Sequence, residues 1–183
     1  MKPTTVNVAV VLKAAAFAAD KHRDQRRKNV EASPYINHPL EVACLLAESG
    51  VQDEALLAAA LLHDTIEDTA TEYEELEREF GSDIATIVGE VTDDKSLEKT
   101  ERKRLQIEHA KTASASAKQL KIADKTCNIR DIVKSPPHNW ALERKQEYLD
   151  WAVEVVSNCL GVNATLDAIY EQAISAARSG IQK

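Results

Sequence analysis

A histidine and an aspartate stand side by side at His63-Asp64, with His38 upstream and Asp124 downstream. Two imidazoles and two carboxylates form a nitrogen and oxygen donor set suited to a first-row divalent cation such as Mn2+ or Fe2+, leaving positions for water or phosphate oxygens. No thiolate stands among them to favour structural zinc. Glu67 and Asp68 follow four residues after His63 and Asp64, so a helical continuation brings both acids beside the pair. Carboxylates crowded near one metal are candidates for orienting water and moving protons. Each residue also has a plainer reading. His38 can cap a helix, Asp124 can pair with Lys121 or Lys125, and Glu67-Asp68 can be an exposed acidic turn.

The elements that must position these side chains read as helices. Leu56, Leu57, Leu61 and Leu62 belong to an Ala- and Leu-rich segment, 54–63, that Asp53 can cap and whose nearly all-round apolar surface requires burial. His63 and Asp64 are thereby delivered to an interior where an unpaired charge is very costly, and a bound cation offsets that cost. Upstream, Val8, Val11, Leu12, Ala15, Phe17 and Ala19 mark a first helix. Residues 29–37, with Ser33-Pro34, read as a loop, and Pro39 sits in the first turn of a second helix that Gly50 stops. Downstream, Thr71 and Glu74 have capping-box spacing for a helix ending near Gly81, and Ser82 or Asp83 opens the next through Val91. A charged helix over 97–109 follows, then one capped by Ser114 or Ser116 and closed by Pro136-Pro137. Two more, over 139–160 and 163–177, are separated by Gly161.

Composition agrees with an all-α fold in a single domain over residues 1–183. The chain is 44% hydrophobic with only 5 Gly and 5 Pro, and its abundant Ala, Leu, Glu and Lys lose little freedom in a helix. Cys44, Cys127 and Cys159 are odd in number with no close pairing such as C-x-x-C, which suggests neither a disulfide framework nor a zinc ribbon and suits a reducing cytoplasm. No apolar stretch has the length of a membrane span or a secretory leader, so the expectation is a soluble protein with no membrane partner. A net charge of −7 argues against a nucleic-acid partner. Two local basic runs nonetheless suit a compact anion: Lys21, Arg23, Arg26, Arg27 and Lys28, and then Lys95, Lys99, Arg102, Lys103 and Arg104. Both also read as solvated helix faces.

Five segments in order, Arg26-Arg27-Lys28, Tyr35-Ile36-Asn37-His38-Pro39, the run from Ala59 through His63-Asp64 to Asp68, Val91-Thr92-Asp93-Asp94-Lys95 and Lys121-Ile122-Ala123-Asp124-Lys125, closely resemble the hydrolase domain of the Rel/Spo alarmone enzymes. The resemblance spans roughly residues 14–161 and is to the small stand-alone, metazoan SpoT-like form. It implies an HD-type helical bundle in which His38, His63, Asp64 and Asp124 hold one Mn2+ and Glu67 and Asp68 serve catalysis. It further implies that Arg27 and Lys28 contact substrate phosphates or the guanine, while Asn128 and Tyr148 meet the nucleoside. Where such enzymes usually carry Leu followed by Tyr or His after Asp-Lys, this chain has Thr126-Cys127, at the nucleoside end of the implied pocket.

The implied activity is metal-assisted release of pyrophosphate from the 3′ position of guanosine tetra- or pentaphosphate, giving GDP or GTP, with a small-molecule nucleotide as the partner. The same site admits another nucleotide, such as the 2′-phosphate of NADPH, a deoxynucleotide or a cyclic nucleotide, because fold and ligands do not choose among them. A non-catalytic nucleotide- or metal-sensing module is the alternative outside enzymes. Oligomeric state is not legible in the sequence.

Overall fold

Ten helices make up the regular structure of the computed structural model, which describes residues 6–181. They are α1 (Val8–Lys21), α2 (Asn37–Glu48), α3 (Glu54–Leu62), α4 (Thr65–Asp68), α5 (Tyr73–Phe80), α6 (Ser82–Val91), α7 (Lys99–Thr112), α8 (Ala115–Lys134), α9 (Leu142–Ser157) and α10 (Ala164–Gly180). Among the described residues no strand forms, and an isolated bridge joins Arg26 to Pro34. The chain is therefore all-α, as its composition requires.

Helix α3 is the axis of the bundle. Asp53, in extended conformation, accepts a hydrogen bond from the Ala55 amide (2.9 Å) and starts the helix. Every residue from Leu56 to Leu62 is buried, because α1, α2, α6 and α8 surround it. Ala14 and Ala18 let α1 lie close against α3, while Val42, Leu45 and Leu46 bring in α2. The long α8 contributes Leu120, Ile122, Ala123, Ile129 and Ile132 to the same core, and α10 covers it with Leu166, Tyr170, Ala173 and Ala177. On the far flank α7 packs against α9, where the Trp151 indole N–H donates to the Lys103 carbonyl (3.1 Å).

The boundaries differ from the sequence reading where local bonds compete. α2 begins at Asn37, before Pro39, because the 25–35 loop is cinched by Arg27 N–H to Ser33 O (2.8 Å) and Tyr35 N–H to Gln25 O (3.1 Å). Thr71 does not cap α5. It is buried with its hydroxyl on that of Thr69 (2.8 Å), and extended Glu72 precedes the helix instead. Gly81, at φ +88°, ends α5 and starts α6 in one residue, a conformation that favours glycine. The acidic pair sits on α4, a single turn that resumes after a break at His63-Asp64. Ser114 caps α8 by accepting from Ala117 N–H (3.1 Å), as expected.

Asn163 both caps α10, accepting from Leu166 N–H (3.1 Å), and donates to Gln119 Oε1 (3.0 Å) and the Ser49 carbonyl (3.3 Å). It thus ties α10 to α8 and to the end of α2. Asn163→Ala should lower unfolding stability by about 1–2 kcal/mol, and Asn163→Asp, which keeps the acceptor and loses the donors, by less. Urea unfolding followed by helical circular dichroism measures both; identical midpoints for Asn163→Ala and the parent would refute the tether.

Candidate metal and phosphate site

The site assembles where α2, α3 and α8 meet. At the end of α3, His63 turns its Nδ1 to the Ala60 carbonyl (2.7 Å), an acceptor that places the proton on Nδ1 and leaves the Nε2 lone pair facing inward. Nε2 then lies 3.1 Å from Asp64 Oδ2 and 4.0 Å from Asp124 Oδ1. From the first turn of α2, His38 Nε2 reaches within 3.1 Å of Asp124 Oδ1 and 3.8 Å of Asp64 Oδ2. One donor atom each from His38, His63 and Asp124 falls within 4.8 Å of the others. Asp64 joins through its distances to the two imidazoles. All four residues implied by the resemblance are therefore brought together.

Charge in this cluster is set by burial working against close partners. Burial opposes ionisation of Asp124, yet Lys125, His38 and His63 hold its carboxyl well below the usual range. Asp64 is likewise depressed against its burial, by His63 and then His38. His63, buried and so disfavouring charge, is pushed up to about 9 by the Asp64 and Asp124 carboxylates. The pocket thus draws positive charge. His63 Nε2 is fully enclosed and has no hydrogen-bonding partner, since Asp64 Oδ2 approaches it off the line a hydrogen bond needs. A buried inward ring nitrogen with no hydrogen-bonding partner, beside two ionised carboxylates that draw positive charge, fits a divalent cation, which would stand where the second ring proton otherwise sits.

The carboxylates are themselves held. Tyr35 O–H donates to Asp64 Oδ2 (2.6 Å), Lys125 Nζ to Asp124 Oδ2 (2.9 Å) and Asn128 Nδ2 to Asp124 Oδ1 (2.5 Å). Sequence reasoning saw Lys125 only as an ordinary pairing partner and overlooked Tyr35, although both lie in the segments that carried the resemblance. The two acids of α4 differ. Glu67 is half-buried, raised by its burial and by Asp93 and Asp64, with Lys95 (3.7 Å) and Arg102 (3.9 Å) nearby. Asp68 has both oxygens engaged, by Lys95 (2.6 Å) and Gln25 (2.9 Å).

The first basic run does not form one patch. Lys21 pairs with Glu75, Arg23 with Asp20, and Arg26 donates to the carbonyls of Arg23 and Gln25. Arg27 bonds Asp131 and approaches Asn128 Oδ1 (3.5 Å), and Lys28 is exposed. Arg27 and Lys28 line an outer cleft of about 630 Å3 with Asn128, Trp140, Tyr148 and Trp151. The last three stack edge to tilted face, centroids 5.6 and 5.4 Å apart, and only Tyr148 was foreseen. Burial above all pushes the Tyr148 phenol up to about 12, so it stays a hydroxyl at neutral pH. Of the second run, Lys95 and Arg102 face the α4 acids, whereas Arg104 pairs with Glu101 outside.

The cluster itself lines an inner chamber of about 150 Å3, which Glu67, Gln106 and Lys121 also bound and which shares His38 and Asn128 with the cleft. Thr126-Cys127 lines neither space. Thr126 bonds back to the Ile122 carbonyl (2.7 Å), and Cys127 borders a separate groove with Cys44 on the other side of α8. The sequence departure at these positions therefore lies away from the nucleoside end.

The family model described as "HD domain" matches residues 14–173. The chain is 55% identical over 162 residues to guanosine-3′,5′-bis(diphosphate) 3′-pyrophosphohydrolase MESH1 of Xenopus tropicalis, covering 88% of this chain and 90% of that one. It is 52% identical over 160 residues to the Homo sapiens protein of the same name, covering 87% and 89%. A solved structure of a metazoan ortholog of SpoT that hydrolyzes ppGpp superposes with a TM-score of 0.89 at 45% identity, covering 94% of this chain and 97% of that one.

The hydrogen bond from Tyr35 orients Asp64 toward the two imidazoles. Tyr35→Phe should weaken divalent-metal affinity by about tenfold or more without unfolding the chelated protein. Titration with metal after chelator treatment reads the affinity; an unchanged binding constant would show that Asp64 needs no such support.

Proposed function

The chain belongs to the HD domain family, and on that premise we propose that it is a metal-dependent 3′-pyrophosphohydrolase of guanosine-3′,5′-bis(diphosphate). The pentaphosphate is the other substrate of the same reading, with GTP in place of GDP. The observation that carries it is the nesting of the two cavities: a cleft with aromatic and cationic walls leads into a small chamber lined by the imidazole and carboxylate cluster. A nucleoside suits the first space and a phosphate ester the second.

On this reading His38, His63, Asp64 and Asp124 hold a single Mn2+, a choice supported by the hard nitrogen and oxygen donors and the absence of thiolate. A divalent cation there supplies charge to offset that of the phosphoryl oxygens and acidifies water. The chain's own groups do the rest. Glu67, whose carboxyl is raised by its burial and by Asp93 and Asp64, accepts the proton of the attacking water, and Asp68 keeps Lys95 beside it. Water adds to the ester phosphorus, the bond to the 3′ oxygen breaks, and Glu67 returns the proton it took to that oxygen as GDP parts from pyrophosphate. Arg27 and Lys28 neutralise phosphate charge at the cleft mouth. Asn128 orients the ribose while holding Asp124, and Tyr148 offers a face to the base.

Residues 1–183 read as one HD phosphohydrolase domain, supported by the single core that α1, α3, α8 and α10 share. The three free cysteines support a cytoplasmic setting. The net charge of −7 supports the absence of a nucleic-acid partner. Among the described residues no helix is long and apolar enough to cross a membrane.

With Mn2+ the protein should convert guanosine-3′,5′-bis(diphosphate) to GDP and intact pyrophosphate, and chelator should abolish it. Mass identification of products, with NADPH, dGTP and cyclic GMP run in parallel, is the test. A preference for any of those three would replace the substrate and leave the phosphohydrolase standing. Among variants, Asp64→Asn and Asp124→Asn should lose metal and turnover together. Glu67→Gln should keep metal and lose about a hundredfold in kcat. Full turnover in Glu67→Gln would return that residue to a structural role.

A further inference from the structure

Lys121 is 5% exposed, on the face of α8 one turn before Asp124, and its side chain lines the inner chamber. Among the described residues no carboxylate oxygen lies within 4.0 Å of its ammonium, and it makes no hydrogen bond. Lys125, its neighbour one turn on, has Asp124 as partner at 2.9 Å. An ammonium on a buried side chain, met by no protein group and open only to what enters the chamber, is expensive to keep, and an apolar side chain of the same length would fill the space at lower cost. Gln106 lines the same chamber and carries a second unmet group. Its Nε2 donates to Asp93 Oδ2 (2.5 Å), which fixes the amide orientation, and its Oε1 is buried with no donor. A cation and an acceptor, both without protein partners, therefore face one small polar space.

We propose that the inner chamber is the subsite for the distal phosphate of a diphosphate ester, with Lys121 as its anchoring cation and the residue that makes the enzyme select a 3′-diphosphate over a 3′-monophosphate. The size agrees. About 630 Å3 in the outer cleft falls within the range of small-molecule pockets, whereas about 150 Å3 admits only a group of phosphate dimensions. The position agrees as well. His38, His63 and Asp124 line the chamber together with Lys121 and Gln106, so an ester phosphorus at the cluster, with its nucleoside in the cleft, puts its outer phosphate within the same walls. Charge-assisted bonds from Lys121 then meet phosphate oxygens, and Gln106 Oε1 takes a proton the phosphate retains or that of a bridging water. The selectivity clause rests on the hydrolase reading above; the binding clause does not.

The test compares the parent with Lys121→Met and Lys121→Gln in three measurements. Calorimetry on metal-loaded protein should show pyrophosphate binding weakened about tenfold to a hundredfold in Lys121→Met, with orthophosphate affected less. Turnover should fall by a similar factor for guanosine-3′,5′-bis(diphosphate), and stay within about twofold for the analogue bearing a single 3′-phosphate. Lys121→Met should melt at or above the parent temperature, because removal of an unpaired buried charge relieves a cost. Equal losses on both substrates, or unchanged pyrophosphate binding, would overturn the subsite while the hydrolase stands. A parent that binds pyrophosphate through Lys121 but releases no GDP would overturn the hydrolase reading and leave the subsite. Loss of folded protein in both variants would make Lys121 a structural residue and refute the proposal.

Discussion

His63 spends its Nδ1 proton on a carbonyl of its own helix, and the nitrogen that is left faces a space walled by α2 and α8. From that commitment the rest of the site follows. The inward nitrogen needs something electron-poor in front of it, and the protein surrounds it with a second imidazole and two carboxylates rather than with a donor. Such a group of charges is tolerable in an interior only when each oxygen is bound in place. Tyr35, from the loop before α2, and Lys125 and Asn128, both from α8, supply those bonds. The helices can be seen as the means of holding these few distances.

Two adjacent acids acquire different characters from their surroundings. Glu67 turns toward the cluster, where carboxylates crowd it and burial raises its proton affinity. Asp68, the next residue, is satisfied on both oxygens by Lys95 and Gln25, and Gln25 in turn accepts from the buried ring of His22 (2.6 Å). Environment and not residue type separates a group able to exchange a proton from one that fixes a neighbour.

Much of this was legible in the sequence because it depends on local rules. The all-apolar stretch before His63, the caps at Asp53 and Ser114, and the stops at Gly50 and Gly161 are short-range signals, and each holds. The cap expected at Thr71 fails because burial diverts its hydroxyl to Thr69. At the site, the four clustered residues announced themselves by type. Those that steady or extend the site did not, since Tyr35, Gln106, Lys121 and Trp140 gain their meaning only when distant helices meet. The basic run around Arg26 shows the same limit from the other side: neighbours in sequence, its cations disperse to Glu75, Asp20, two carbonyls and Asp131.

Helix α3 presents no side to water, and this has a dynamic consequence. An amphipathic helix can peel from a bundle and survive briefly in solvent, but a segment apolar on every side has no such intermediate. Any fluctuation that frees the backbone of α3 must part it from α1, α2, α6 and α8 together. Its amides should therefore exchange with solvent hydrogen only through global opening, while those of the single-turn α4 exchange by local fraying. The two imidazole-bearing and proton-handling ends of the site thus sit on opposite sides of a boundary in cooperativity: one is as durable as the whole molecule, and the other is free to adjust around a reacting ester.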